Sequence, residues 1–211
     1  MKKYIATFIL GFSIMLVCHA QNTTDSVSVK HHEFYAGVGF LSDVQIISGI
    51  IDFVTNVYTD VYTFGLAGGT SRKFLFFTPS IGYRYWFNKK VGIGVNFSFD
   101  KCTVTETYVK EVNTFLWILP TFEYEYNIYD LYYYTTAVNF NWNYVNRPIF
   151  QLYGNVGMGT TIVQSSDGIN KLYFNMHVSP FGVRVGKMVA GFTEVGFGYK
   201  GIINMGLSVK F

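Results

Sequence analysis

The chain has 211 residues, of which 50% are hydrophobic, 19% aromatic and only 14% charged. The charged fraction is far below the roughly 25% of ordinary soluble domains, and Tyr, Phe and Gly, at 17, 21 and 21 residues, favour strands and tight turns over helices. With Lys2 and Lys3 assigned to a leader, 14 basic residues stand against 13 acidic ones, a balance of about +1 that gives no electrostatic case for nucleic acid.

Residues 1–20 read as a cleaved signal peptide: two lysines, an apolar run from Ile5 to Val17, and a small residue at Ala20. The run is too short to span a bilayer as a helix. Val17 stands before Cys18 where a lipoprotein signal carries a small residue, so lipoprotein processing is the lesser reading. Cleavage after Ala20 leaves only Cys102 and excludes an intrachain disulfide. Residues 21–32 read as a short periplasmic segment and 33–211 as one domain.

No later stretch has the run of about 18 apolar residues that a transmembrane helix needs. Period-two alternation dominates instead. In "VGIGVNFSFDKC" Val91, Ile93, Val95, Phe97 and Phe99 alternate with Gly92, Gly94, Asn96, Ser98 and Asp100. The same holds for Tyr132–Tyr144, Phe150–Ile162, Val195–Tyr199 and Ile203–Phe211. The apolar sets hold almost no charge, although one face of every strand of a soluble sandwich meets water. Aromatics fall near the strand ends, at Tyr85, Phe87, Trp142, Tyr144, Tyr199 and Phe211, as interfacial girdles require.

These features predict an all-β fold, a closed antiparallel up-and-down transmembrane β-barrel of eight strands at about 33–41, 73–87, 91–105, 131–145, 149–163, 171–186, 191–199 and 202–211. Short turns at "NKK", "NRP" and "KMVA" alternate with longer loops. "DVQIISGIIDFVTNVYTDVY" has helical spacing and predicts a helix within the first external loop. "NTFLWILPTFEYEY" reads as strand, which leaves a ten-stranded alternative with a further strand within 56–66; the eight-stranded reading makes 114–127 an extension within the second external loop. The alternation in "LYFNMHVSPFGVRVG" changes parity at Ser179–Pro180, which predicts a bulge.

"SIGYRYWFNKKVGIGVNFSF", "VNFNWNYVNRPIFQLYGNVGMG" and "SPFGVRVGKMVAGFTEVGFGYKGIINMGLSVKF" resemble the small outer-membrane β-barrel family common in Bacteroidota, related in architecture to OmpA/OmpX-type barrels. The final segment looks like the signal read by the barrel-assembly machinery of Gram-negative bacteria, carried here by Asn204, Gly206, Val209 and Phe211. The resemblance implies a monomer in the outer membrane of a Gram-negative bacterium, with membrane lipid, that machinery and an unidentified surface ligand as partners.

Little points to catalysis, and no cofactor or metal is expected. His31 and His32 precede the first strand, but a metal site needs more ligands. A rim enzyme acting on lipid would require Ser166, Asp167 and His177 to converge, which their spacing does not demand. Eight strands enclose a space just wide enough for side chains. The sequence therefore favours a non-enzymatic barrel acting through its external loops, with a narrow solute channel as the alternative. A "KMVAG" turn centred near Val189 sets Arg184 opposite Glu194, with Arg84 at similar depth, and predicts a lumen charge network.

Overall fold

The computed structural model describes residues 30–63, 68–112, 121–166, 168 and 170–211. The proposed signal peptide, Cys18, most of the segment 21–32 and Asp167 lie outside the described residues. The elements are β1 (His32–Phe40), α1 (Asp43–Thr63), β2 (Thr70–Phe74), β3 (Thr78–Trp86), β4 (Val91–Val112), β5 (Thr121–Asn146), β6 (Phe150–Ser165), β7 (Asn170–Gly186), β8 (Val189–Gly198) and β9 (Ile203–Lys210).

Antiparallel ladders run β1–β3–β4–β5–β6–β7–β8–β9 and close through β9–β1. This is an eight-stranded barrel with one accessory strand, β2, paired to the upper part of β4. Closure removes the sheet edges that would otherwise leave backbone N–H and C=O groups without partners. Side chains alternate across this wall, so each strand sends one set inward and the other outward. Within the eight strands, no outward position between the short turns and the level of Lys101 and Asp130 carries a charge, and Ile81, Phe97, Phe140, Met158, Phe181 and Leu207 are among the exposed apolar side chains.

The wall is uneven. The β4–β5 ladder continues without interruption from Val91–Trp142 to Val112–Thr121, so 121–127 extends β5 and is no additional strand; 113–120 lie outside the described residues. Residues 56–63, proposed for a tenth strand, belong to α1. The expected single strand at 73–87 is divided: between Phe74–Cys102 and Ser80–Ser98, residues 75–79 stand against only 99–101, and Pro79 cannot donate to a ladder. The β7 irregularity falls where the parity change placed it, with register shifts spanning Ser179–Phe181 in both flanking ladders. Tyr199 departs from its expected outward position. The chain turns at Gly198, with φ of 130°, and Tyr199 swings inward to bond Asn139 at 2.7 Å.

Helix α1 begins with a capping box. The Gln45 amide donates to Ser42 Oγ at 3.3 Å, and the Ser42 amide donates to Gln45 Oε1 at 3.2 Å. Both cap side chains also reach Asp100 on the inner wall, Ser42 at 2.7 Å and Gln45 at 3.1 Å, beside Thr78 at 3.0 Å. Val44 packs on Cys102, Val104 and Tyr133, so the first helical turn fills the barrel mouth. The helix then climbs β2 on its polar side, through Asp52 with Arg72 and Asn56 with Thr70. Ile47, Ile50, Ile51, Val54, Val57, Tyr58 and Val61 stay exposed on the far side. Higher on the tall hairpin, the hydroxyls of Tyr108 and Tyr129 donate to Glu106 and hold its carboxyl below the usual carboxylate range.

The Asp100 anchor predicts local release. Ser42→Ala combined with Asp100→Asn should speed hydrogen exchange of the α1 amides by the equivalent of about 0.5–2 kcal/mol, the usual worth of a helix N-cap, and leave β6–β9 amides unchanged. Unchanged α1 exchange would show that other contacts seat the helix.

Candidate functional site: the charged lumen

Inward positions of the lower wall gather Glu33, Arg84, Arg184, Glu194 and Lys210, and Lys200 joins them from the β8–β9 turn, all buried. Glu194 is the centre of one cluster. Arg84 Nη2 donates to its Oε1 at 2.5 Å and the Tyr153 hydroxyl donates to the same oxygen at 2.8 Å. Lys200 and Asn204 approach Oε2 at 3.4 and 3.3 Å. Glu33 centres the second cluster: Trp86 Nε1 donates to Oε2 at 2.8 Å, Lys210 lies 3.5 Å from Oε2, and Arg184 Nε lies 3.2 Å from Oε1. Arg84 joins the two clusters, with Nη1 3.9 Å from Glu33.

Two aromatic faces enclose Arg84. Its guanidinium carbon lies 4.2 Å from the Tyr35 ring centre and 5.1 Å from that of Tyr153, within cation–π range. Each ring crosses the lumen over a glycine: Tyr35 is opposite Gly82, and Tyr153 opposite Gly182. A Cβ at Gly82 would stand 2.3 Å from the Tyr35 ring, and one at Gly182 would stand 2.6 Å from the Tyr153 ring. Glycine is thus required at both positions for the rings to lie flat across the space.

The expected direct pairing of Arg184 with Glu194 is not made. Glu194 lies opposite Gly182, and Arg184 lies opposite Phe192. The β7–β8 turn is tighter than the sequence reading allowed: Gly186 pairs with Ala190, which centres the hairpin on Met188. Arg184 therefore sits nearer the turn, donates to the carbonyl oxygens of Gly186, Lys187 and Met188 at 3.2–3.3 Å, and reaches Ser208 at 2.8 Å. Glu33, Lys200, Lys210, Tyr35 and Tyr153 were absent from the expected set. The available signal was inward parity: Glu33 and Tyr35 share it with Gly37, and Lys210 with Ser208.

Above the charges the lumen stays filled. Tyr199 lies tilted against His177, with ring centres 5.3 Å apart. The Thr135 and Thr161 hydroxyls meet at 2.7 Å, Asn175 donates to Thr161 at 3.0 Å, and Asp100 with the helix cap closes the mouth. His177 is buried at the level of Gly157. Ser166 follows the end of β6, and from Gly157 to Ser165 the strand rises about 26 Å at roughly 3.3 Å per residue. Ser166 and His177 are therefore not brought together as a nucleophile and base.

Among the described residues no group of three or more His, Cys, Asp or Glu could hold a metal ion. Asn204 is part of the Glu194 cluster, Gly206 faces Gly37 and Phe192, Val209 lies on the outer wall opposite Phe34, and Phe211 stacks on His32 with ring centres 5.6 Å apart.

No family model matches the sequence, and no curated protein matches it. Among solved structures, the chain is similar to the crystal structure of Ail, the attachment invasion locus protein of Yersinia pestis, in complex with the heparin analogue sucrose octasulfate. The identity is 12% and the TM-score 0.36, covering 85% of this chain and 95% of that one. The strand ladders, not this likeness, define the barrel.

The geometry predicts coupling between Arg84 and Glu194. Either Arg84→Met or Glu194→Gln should cost about 3–5 kcal/mol in urea unfolding of the lipid-inserted barrel, because each strands a buried charge or dipole. The double variant should lose clearly less than the two single losses together. Additive losses would show that the two groups are solvated separately.

Proposed function

We propose that the chain is a non-enzymatic integral outer-membrane barrel of a Gram-negative bacterium, with a surface-interaction or envelope-structural role at its long-loop end. The observation that carries this reading is the sidedness of the wall: below the level of Lys101 and Asp130 outward positions are uncharged and largely apolar, while the charged groups of that part of the strands point into the lumen. In water such a surface would be costly, and in hydrocarbon it is what a closed barrel requires. The resemblance of the sequence to small Bacteroidota barrels agrees with this reading. Asn204, Gly206, Val209 and Phe211 are then the residues the barrel-assembly machinery would read.

The filled lumen weighs against the channel alternative. A solute would have to displace the Arg84–Glu194 and Arg184–Glu33 ion pairs and the tyrosines around them. The separation of Ser166 from His177 weighs against a rim enzyme. What remains for function is the long-loop end, where the tall β4–β5 hairpin exposes Tyr108, Tyr124, Tyr126 and Ile128.

The protein expressed in a Gram-negative host should fractionate with outer membranes and migrate faster on a denaturing gel unheated than boiled. In planar bilayers it should give no more conductance than the lipid alone. High-yield recovery in the soluble periplasm would overturn the membrane reading, and stepwise conductance would restore the channel.

A further inference from the structure

The outer wall is not uniformly covered. Across β1, β3, β4 and β5 one ladder row carries Ala36, Ile81, Phe97 and Thr136, and the row beneath it carries Phe34 and Tyr83. Ala36 and Thr136 are small beside the bulky Ile81, Phe97, Phe34 and Tyr83. Together these residues line a groove of about 610 Å³ open to the outside of the barrel. That volume falls within the roughly 300–1,000 Å³ typical of ligand sites.

The surface just below the groove, outside its lining, is chemically distinct. The Phe34 ring centre lies 5.0 Å from Tyr83 and 5.9 Å from Phe211. His32, one position further toward the short-turn end on the same outward face, stacks on Phe211 at 5.6 Å and meets Tyr85 edge-on at 5.3 Å. Its Nδ1 shares a hydrogen bond of 2.7 Å with the Tyr83 hydroxyl. Lys30 lies at the same end, its ammonium 3.4 Å from the Lys210 carbonyl oxygen and its side chain exposed. Below the apolar groove, whose lining includes Tyr83, the same short-turn end carries an imidazole and a cation, groups that suit a phosphate.

We propose that this groove holds one acyl chain of a membrane phospholipid, with the lipid phosphate at Lys30 and His32. The assignment rests on the membrane reading above, because only hydrocarbon surrounds the groove at that depth. The short-turn position of Lys30 and His32 places the lipid in the periplasmic leaflet. The site gives the two histidines at the start of β1 a use other than metal binding: His32 faces the lipid headgroup, and His31 braces the rim through a 2.6 Å hydrogen bond to the Trp86 carbonyl oxygen.

The test uses the whole barrel in phosphatidylcholine nanodiscs containing a minor fraction of phosphatidylglycerol with a nitroxide near the chain end. NMR line broadening is read at Ala36 and Thr136 and, as references, at Val178 and Phe197, which are exposed on the opposite wall. Ala36 and Thr136 should broaden at label fractions that leave Val178 and Phe197 sharp. Ala36→Phe should abolish this contrast by filling the groove, and Lys30→Ala with His32→Gln should abolish it by removing the phosphate partners. The gel shift on heating checks that each variant is folded. Equal broadening on both walls would make the lipid ordinary solvent and overturn the proposal. A contrast that survives Lys30→Ala with His32→Gln would overturn the phosphate assignment. Failure of the wild-type chain to enter the discs would instead overturn the membrane reading, and this site with it.

Discussion

A closed eight-stranded wall sends every second side chain into a space that it must fill. That constraint organises the rest of the structure. The interior is about as wide as two opposing side chains, so large inward residues must be met by small ones. Tyr35 over Gly82 and Tyr153 over Gly182 satisfy this requirement directly. The same crowding forces polar groups to satisfy one another. Glu33 and Glu194 are acceptable inside only because Arg84, Arg184, Lys200, Lys210, Trp86 and Tyr153 surround them.

The loop-borne elements obey a related rule. Above β1, β3, β8 and β9 the wall stops short, and α1 rises across the opening beside β2. Its polar residues turn toward the strands and its apolar residues away, the reverse of an amphipathic helix packed on a soluble core. The helix keeps the sidedness of the strands below it. Asp100 makes this arrangement possible by receiving both cap side chains at the point where the chain leaves β1.

Much of this was legible in the sequence because parity is a local property. Alternation in Val91–Phe99 or Ile203–Val209 assigns each side chain to a face without any knowledge of the partner strand. The parity change at Ser179–Pro180 located the β7 bulge for the same reason. Register is not local. Whether Arg184 meets Glu194 or Glu33 depends on a turn of Lys187 and Met188, and on strand β1, distant in sequence. Tyr199 illustrates the limit: its parity pointed outward, but the turn at Gly198 ends the strand before parity can apply to it. The charged lumen was thus visible as a set of inward residues, whereas its pairings were not.

The two clusters do not balance. Arg84, Arg184, Lys200 and Lys210 bring four formal positive charges against the two of Glu33 and Glu194. Backbone carbonyls at the β7–β8 turn and the faces of Tyr35 and Trp86 absorb part of the surplus as dipoles and quadrupoles. In a low-dielectric wall the remainder acts at longer range than it would in water. The lower bore therefore carries a surplus of positive charge, whereas the helix cap and Asp100 close the other end. A cation entering from the short-turn end would meet an electrostatic barrier there.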